Sequence, residues 1–265
     1  MQVEINGVSM AYSVIGESGP WVIMSHSLGC DQRMWDHQLD ALAGRYRVLR
    51  YDTRGHGASG ATPAPYSLDL LADDALKLMD HVGADRAHWV GFSMGGMIGQ
   101  VFALKHGERL RSLVLADTTS AHTATPASMW AERIRTAREG GIAPLVAPAI
   151  GRWFTERFRT DEPEETERIA QMIRATSVDG WCGCCAAIAE VHTTERLGEI
   201  QCPVLVMVGE HDIGTPLSAA LDIHRHLQDS VLAVVSDAAH MSCVEQPAQF
   251  NRALRLFLDT HSDPA

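Results

Sequence analysis

The sequence has few of the features that mark membrane-bound, secreted or nucleic-acid-binding proteins. No apolar run approaches the roughly 20 residues that a membrane span needs, and residues 1–4 lack the basic start of a signal peptide. Basic residues are scarce, with 22 Lys and Arg against 33 Asp and Glu and a formal net charge of −11. This balance argues against nucleic acid or an anionic membrane as partner. We therefore expect a cytoplasmic protein. The composition does not decide whether it forms a homo-oligomer.

Cysteine is sparse, and half of it lies in one cluster. Of the six cysteines, Cys182, Cys184 and Cys185 are close together in the chain. No paired Cys-x-x-Cys or His ligands at zinc spacing accompany them. Free thiols buried in a helix are therefore the favoured interpretation. We expect no disulfide framework, no metal site and no cofactor.

The 265 residues, 46% of them hydrophobic, suffice for one large α/β domain. Strand-like and helix-like segments alternate, which predicts a mostly parallel, eight-stranded sheet flanked by helices. The first two strands flank the turn signal Asn6-Gly7 and should form a hairpin. The eight strand-like runs are residues 2–6, 10–15, 21–25, 47–51, 87–90, 112–116, 204–208 and 231–235.

The alternation stops after the sixth strand. Residues 121–197 contain helical patterns and no strand-like run, so we interpret them as a helical cap inserted into a core formed by residues 1–120 and 198–265. The first part of this segment, residues 129–159, carries six Arg against three Glu. An otherwise acidic protein therefore has local positive charge in its predicted cap.

The stretch from Gly91 to Gly95 has the form Gly-x-Ser-x-Gly, with a strand before it and a small-residue helix after it. This context is that of a nucleophile elbow, in which Ser93 has strained backbone angles. Gly91 and Gly95 are required because a side chain at either position would collide with the neighbouring strand or helix. The Met94 N–H, at the helix start, can stabilise an oxyanion, and the Leu28 N–H is the predicted second donor.

A serine nucleophile needs a base, and the base needs an acid to orient it. His240 follows the last strand and Asp212 the preceding one, both at the sheet edge where Ser93 lies. The sequence therefore predicts the catalytic triad Ser93, Asp212 and His240.

Other candidates for these roles remain. Asp117 follows the strand after the elbow and is an alternative acid, whereas Asp237 is too near His240 in sequence to orient it. His26 and His56 lie in turns, where an imidazole more often holds a loop. The Gly-rich loop 52–59 lacks the spacing of a phosphate-binding motif and is interpreted as a structural turn.

The motifs resemble those of the α/β-hydrolase fold family over the whole chain, and more narrowly those of the 3-oxoadipate enol-lactonases of aromatic catabolism. The core stretches that carry the resemblance are 27–29 with 34–35, 50–59 and 93–100, and those of the cap are 130 with 133–134, 152–155 and 184–188. The core motifs are shared with many esterases and cofactor-free perhydrolases, so the cap motifs discriminate better.

The resemblance implies a five-membered enol-lactone substrate with a carboxylate side chain, opened through an acyl-enzyme. Arg133 is the candidate for binding that carboxylate, and Trp130 and Trp153 for walls of the pocket. Alternatively, Arg133 is a charge on the protein surface, and Trp130 and Trp153 belong to the core of the cap. After residues 186–188 the family usually continues with a basic residue, whereas this chain has Ala189-Glu190. If that position binds a diacid, the substrate is a different or neutral lactone or ester.

Two further classes of function compete with the enol-lactonase interpretation. A carboxylesterase or C–C bond hydrolase would use the same triad on another substrate. A non-catalytic ligand receptor would bind tightly without turnover.

Overall fold

The computed structural model of the protein describes residues 1–121 and 127–262. Its strands are β1 (Gln2–Ile5), β2 (Val8–Ile15), β3 (Trp21–Ser25), β4 (Arg47–Tyr51), β5 (Ala87–Phe92), β6 (Leu110–Ala116), β7 (Val204–Gly209) and β8 (Ser230–Val235). Its helices are α1 (Asp36–Leu42), α2 (Leu68–Val82), α3 (Met94–His106), α4 (Ala127–Gly140), α5 (Ala143–Trp153), α6 (Glu156–Asp161), α7 (Pro163–Ala175), α8 (Val178–Ala189), α9 (Leu217–His226), α10 (Ser242–Glu245) and α11 (Pro247–Thr260).

The strands form one eight-stranded sheet in the order β1-β2-β4-β3-β5-β6-β7-β8. β2 pairs antiparallel with β1 and β4, and all other neighbours are parallel. Asn6 and Gly7 both have positive φ, as the tight hairpin turn requires. The predicted fold class is therefore confirmed.

The burial of each strand follows its place in the sheet. Every residue of β3, β5 and β7 is buried, because helices cover both faces of these central strands. The edge strand β8 is more exposed, with Val231 and Val234 open to solvent. Coverage by helices therefore decides burial, since the apolar run of β8 is partly exposed at the sheet edge whereas those of β3 and β7 are buried.

The helices pack on the sheet in two groups. α2 packs on α3, which lies against β3, β5 and β6, while α1 packs on α10 and α11. The Ser67 hydroxyl accepts the Leu70 N–H and caps the start of α2. A 3-10 turn, Gln32–Trp35, precedes α1, and the Asp31 carboxylate accepts the Arg33 N–H at its start.

Between β6 and β7 the described residues form α4 to α8 and no strand. Within this segment α4 packs on α8 and α5, and α5 on α7. The segment is anchored to the sheet-forming part at several points, among them a hydrogen bond from the Ser177 N–H to the Gly55 carbonyl, 3.0 Å long. No helix in ranges 1–121 and 127–262 is long and apolar enough to span a membrane.

Candidate active site

The carboxyl ends of the parallel strands bring the predicted site residues to one edge of the sheet. Leu28 follows β3, Ser93 follows β5, Asp212 follows β7 and His240 follows β8. β3 and β5 are neighbours, although β4 lies between them in the chain and pairs on the other side of β3. Such a reversal of strand order leaves a crevice at the strand ends, where open α/β sheets bind ligands.

Ser93 occupies a strained turn between β5 and α3, with φ 52° and ψ −111°. The two flanking glycines are sterically required. A Cβ on Gly91 would lie 2.2 Å from the Gly95 carbonyl oxygen, and a Cβ on Gly95 would lie 2.0 Å from the Ser25 carbonyl oxygen. The predicted crowding at the elbow is therefore confirmed.

Ser93, His240 and Asp212 form a continuous hydrogen-bonded chain. His240 Nδ1 lies 2.7 Å from Asp212 Oδ2, and His240 Nε2 lies 3.1 Å from Ser93 Oγ. A proton on Nδ1, donated to the carboxylate, leaves Nε2 as an acceptor for the serine proton. The geometry is that of a nucleophile, a general base and an orienting acid.

The Asp212 carboxylate is fully engaged. Oδ1 accepts the N–H groups of Gly214 and Thr215 at 2.7 and 3.0 Å, and Oδ2 accepts the Thr215 hydroxyl at 2.6 Å. Burial opposes ionisation, but the charge of His240 and these hydrogen bonds outweigh it and lower the pKa of Asp212 to about 2. Asp212 is therefore ionised at neutral pH. Sequence reasoning missed Thr215, which carries no motif of its own.

The loop that carries His240 is tied to the start of α6. Glu245 accepts the Ala239 N–H through one carboxylate oxygen and the Thr155 N–H and hydroxyl through the other. The Met241 N–H also donates to the Trp153 carbonyl, at 2.9 Å. The imidazole orientation therefore depends on residues between β6 and β7 as well as on the sheet.

Asp117, the alternative acid, lies close to His240 but does not orient it. Its carboxylate accepts the Gly209 N–H at 2.8 Å and the Ser242 hydroxyl. Burial and the charge of Asp212 raise its pKa well above the usual value. His240 Nδ1 donates its hydrogen bond to Asp212 instead.

The other rivals have structural roles. His26 Nε2 accepts the Thr53 N–H, and His56 Nδ1 contacts the Arg54 carbonyl, so both imidazoles hold loops. Burial, followed by the charge of His26, lowers the pKa of His56 to about 3. Asp237 is exposed at the surface. Neither histidine lines the cavity beside Ser93.

The predicted oxyanion donors flank the serine. Met94 is the first residue of α3, and Leu28 lies in the loop after β3 and lines the cavity. Within the described residues, neither backbone N–H has a hydrogen-bond partner. Both groups are thus available to an oxyanion, which is the arrangement that acyl transfer requires.

A cavity opens beside Ser93 and His240, and all three residues predicted to bind substrate line it. Trp130 and Trp153 are more than nine-tenths buried, and Arg133 stacks on Trp130 with its guanidinium carbon 4.3 Å from the ring centroid. The cavity lining consists of Ser27, Leu28, Ser93, Met97, Thr119, Ala121, Trp130, Arg133, Ala149, Arg152, Trp153, Trp181, Ile188, Gly214, Thr215 and His240. The sequence reasoning missed Trp181, although it adjoins the cysteine cluster.

Arg133 is not a surface charge. Burial and the nearby charge of Arg152 lower its pKa to about 10, so the guanidinium is still protonated at neutral pH. In the described part of the chain, Arg133 has no carboxylate partner. It therefore presents an uncompensated positive charge to the cavity.

Glu190, which stands near a basic position of the enol-lactonases, lies outside this cavity. Its side chain is exposed and faces a separate depression lined also by Lys105 and Arg196. Glu190 therefore does not bring negative charge to the pocket of Ser93. The neighbouring cysteines 182, 184 and 185 are buried free thiols, as expected, and burial raises the pKa of each.

Asp117, Asp212 and His240 bring three potential metal-ligand atoms within 4.8 Å of one another. These atoms already have partners: Asp212 and His240 bond to each other, and Asp117 bonds to Gly209 and Ser242. Because Asp212 Oδ2 accepts from both His240 and Thr215, an ion at this position would displace existing hydrogen bonds. The donor set therefore fits a proton relay better than a metal centre.

Comparison with known proteins identifies the family. The sequence profile of the alpha/beta hydrolase fold matches residues 20–247. The chain belongs to the α/β-hydrolase family. A curated member, 3-oxoadipate enol-lactonase 2 of Acinetobacter baylyi, is 37% identical over 93% of this chain and 92% of its own.

Solved structures of other α/β-hydrolases agree with this assignment. The enol-lactonase from Burkholderia xenovorans superposes with a TM-score of 0.95 at 32% identity, covering 98% of this chain and 100% of that one. A thermophilic esterase from Thermogutta terrifontis, solved with malate bound, gives a TM-score of 0.92 at 29% identity, covering 99% and 100%. The resemblance to enol-lactonases is confirmed, and together the comparisons support a hydrolase of this fold.

Proposed function

We propose that this α/β-hydrolase opens a carboxylated enol-lactone of the 3-oxoadipate enol-lactone type through an acyl-enzyme. The observation that carries the proposal is the unpaired, ionised Arg133 in the same cavity as the Ser93–His240 pair. A hydrolase for neutral esters has no use for a desolvated guanidinium at this place. The enol-lactonase relatives, similar over nearly the whole chain, support the same substrate class.

In the first half of the reaction, Ser93 Oγ attacks the ring carbonyl carbon while His240 Nε2 takes the serine proton. The carbonyl oxygen becomes an oxyanion that the N–H groups of Leu28 and Met94 stabilise. When the oxyanion collapses, the ring C–O bond breaks and the enolate leaves. The enolate receives the proton from His240 and becomes a ketone by tautomerisation, leaving an acyl group on Ser93.

In the second half, His240 Nε2 takes a proton from water, and the hydroxide attacks the acyl carbon. The second oxyanion collapses with cleavage of the bond to Ser93 Oγ, which regains its proton from His240. The ionised Asp212 stabilises the imidazolium in both halves. The product is an open-chain keto acid.

The discriminating experiment is a paired steady-state assay without added metal. 3-Oxoadipate enol-lactone and p-nitrophenyl acetate serve as substrates, with Ser93→Ala as the blank. We expect kcat/KM for the lactone in the range of about 10⁴–10⁸ M⁻¹s⁻¹ and a far smaller value for the ester. The reverse ranking would contradict the lactonase proposal while leaving the triad in place.

A carboxylesterase is the second candidate, favoured by the similarity to the thermophilic esterase. It would use the same triad and oxyanion donors on an open-chain ester. The two candidates differ in the role of Arg133, which an esterase for neutral substrates does not need. A receptor, which is the remaining alternative, would bind the lactone without hydrolysing it.

A further inference from the structure

The cavity beside Ser93 contains two arginines, Arg133 and Arg152. Arg133 comes from α4 and Arg152 from α5, two helices that pack on each other. No Asp or Glu belongs to the cavity lining as far as the described residues show. The positive charge of this wall therefore has no counter-charge within the cavity.

Arg152 resembles Arg133 in being partly buried without a carboxylate partner among the described residues. Over residues 1–121 and 127–262 it makes neither an ion pair nor a side-chain hydrogen bond, although its side chain is only partly exposed. Four arginines of these helices pair with a nearby carboxylate: Arg135 with Glu132, Arg157 with Asp161, Arg168 with Glu165 and Arg174 with Glu167. Arg138 and Arg159 make no ion pair among the described residues either, but both are exposed to water, whereas Arg133 and Arg152 are partly buried at the cavity.

Three further residues of the cavity lining have a hydrogen-bond donor without a partner among the residues that the structure describes. Trp130 Nε1 and Trp181 Nε1 are buried without a partner within the described residues, and so is the Ser27 hydroxyl. All three residues line the cavity. A buried donor without an acceptor is costly, and the residues that carry these three donors border the cavity together with the two arginines.

The two guanidinium groups also repel each other. Burial is the largest cause of the lowered pKa of Arg133, and the charge of Arg152 is the second. Burial also lowers the pKa of Arg152. Removing two like charges from water without a counter-ion is unfavourable. A carboxylate between them would relieve the repulsion and accept hydrogen bonds from both.

We propose that Arg152 is a second specificity-determining residue, which binds the substrate carboxylate jointly with Arg133. This inference depends on the proposed function for the identity of the substrate. The carboxylate-binding site itself does not depend on it. The cavity selects a ligand with a carboxylate that both arginines contact. A neutral isostere lacks that contact and is rejected.

Ligand binding without turnover tests the site independently of the reaction. The probes are hexanoate and its neutral isostere hexanamide, titrated into Ser93→Ala protein by calorimetry, with circular dichroism to check folding. We expect hexanoate to bind at least about tenfold more tightly than hexanamide, and Arg152→Met or Arg152→Gln to remove most of that preference. The control Arg159→Ala, at an exposed position on α6, should leave both affinities unchanged.

The double variant decides whether both arginines bind one carboxylate. If they do, combining Arg133→Ala with Arg152→Met costs less than the product of the two single effects on hexanoate affinity, because the first loss already disrupts the shared contact. Fully independent effects, or an unchanged preference in both folded Arg152 variants, would overturn the proposal.

Turnover separates this inference from the proposed function. If wild-type protein does not hydrolyse the lactone but Ser93→Ala protein still prefers hexanoate over hexanamide, the lactonase assignment is wrong and the carboxylate site stands. If a folded Arg152→Met variant hydrolyses the charged lactone with the KM of wild-type protein, the lactonase assignment stands and the proposed role of Arg152 is wrong.

Discussion

Two walls of one cavity differ in how their polar groups are satisfied. On the wall built from strand ends, the Asp212 carboxylate accepts four hydrogen bonds, and His240 is held by Asp212 on one side and Ser93 on the other. On the wall built from helices, the guanidinium groups of Arg133 and Arg152 have no carboxylate or hydrogen-bond partner in the described residues, and Arg133 only stacks on Trp130. The hydrogen-bonded chain of Ser93, His240 and Asp212 is complete without a ligand, whereas the two guanidinium groups lack a counter-charge.

We interpret this difference as a division between the groups that carry out the reaction, on the strand-end wall, and the groups that select the substrate, on the helical wall. Catalytic groups work best when their orientation is set before the substrate arrives, since no reorganisation is then needed during the reaction. Groups that select a substrate gain most from being unsatisfied in the free protein, because the correct ligand alone relieves their desolvation. Substitutions on the two walls should therefore have different kinetic signatures.

The largest effect is expected on the strand-end wall. Ser93→Ala removes the nucleophile, and in serine hydrolases this loss lowers kcat by about 10⁶-fold. Turnover of the lactone should therefore fall by about this factor relative to wild-type protein, with an unchanged circular dichroism spectrum. Full activity in this variant would show that Ser93 is not the nucleophile.

Replacing the acid distinguishes Asp212 from its neighbour. Asp212→Asn leaves the imidazole in the wrong tautomer and should lower kcat by about 10⁴-fold. The matched variant Asp117→Asn should change kcat by less than about tenfold, since Asn preserves the shape of Asp117, its side-chain oxygen can still accept the Gly209 N–H, and Asp117 has no hydrogen bond to His240. If the Asp117 variant loses more activity than the Asp212 variant, the acid has been assigned to the wrong strand.

On the helical wall the effect should appear in KM. Arg133→Ala is expected to raise KM for the carboxylated lactone by about 10- to 100-fold and to leave p-nitrophenyl acetate hydrolysis within about threefold. Arg135→Ala is the control, because Arg135 is exposed on the same helix and pairs with Glu132. Equal effects of Arg133→Ala on both substrates would remove Arg133 from the substrate site.

The smallest effect concerns the attachment of the helical wall to the core. Glu165 on α7 pairs with His37 on α1 and with Arg168. Burial opposes its ionisation, but hydrogen bonds from His37 and Arg168 outweigh it and lower the pKa of Glu165 to about 2. A depressed carboxyl pKa stabilises the fold fully above the unfolded value of about 4.3, and that contribution is lost as the pH falls toward 2.

Glu165→Gln should therefore lower the free energy of unfolding at pH 7 by about 1 kcal/mol or less, as is typical of solvent-screened pairs. The difference from wild type should shrink as the pH falls from about 4.5 to 2. Urea denaturation at several pH values measures it, and Glu164→Gln, exposed on the same helix, is the control. A difference that grows toward low pH would contradict the assignment.

The strand-end wall was predictable from the sequence because parallel strands leave little freedom. A strand-like run followed shortly by Ser93, Asp212 or His240 places that side chain at one edge of the sheet, whichever helices cover it. The hairpin was equally predictable, because its turn signal Asn6-Gly7 is local in the sequence. Asp117 could not be separated from Asp212 in this way, since both follow neighbouring strands and only side-chain distances decide between them.

The helical wall was only partly predictable. Arg133 and Trp130 came from a resemblance in their motif, while Arg152 and Trp181 face the cavity because of how α4, α5 and α8 pack. Helix periodicity predicts which face of a helix is apolar but not which charged residue at its margin turns inward. Glu190 shows the same limit, since its position in the chain suggested a role in the pocket and the packing of α8 directs it elsewhere.

The central claim is that the helical wall makes a general serine hydrolase selective for a charged substrate. A direct competition tests it, with 3-oxoadipate enol-lactone and the methyl ester of its side-chain carboxylate mixed in equal amounts with wild-type protein. The ratio of the initial rates equals the ratio of the two kcat/KM values. We expect the charged lactone to be favoured by about 100-fold or more, the value of two charge-assisted contacts. A ratio near one would show that the two arginines do not select the substrate and would contradict the account.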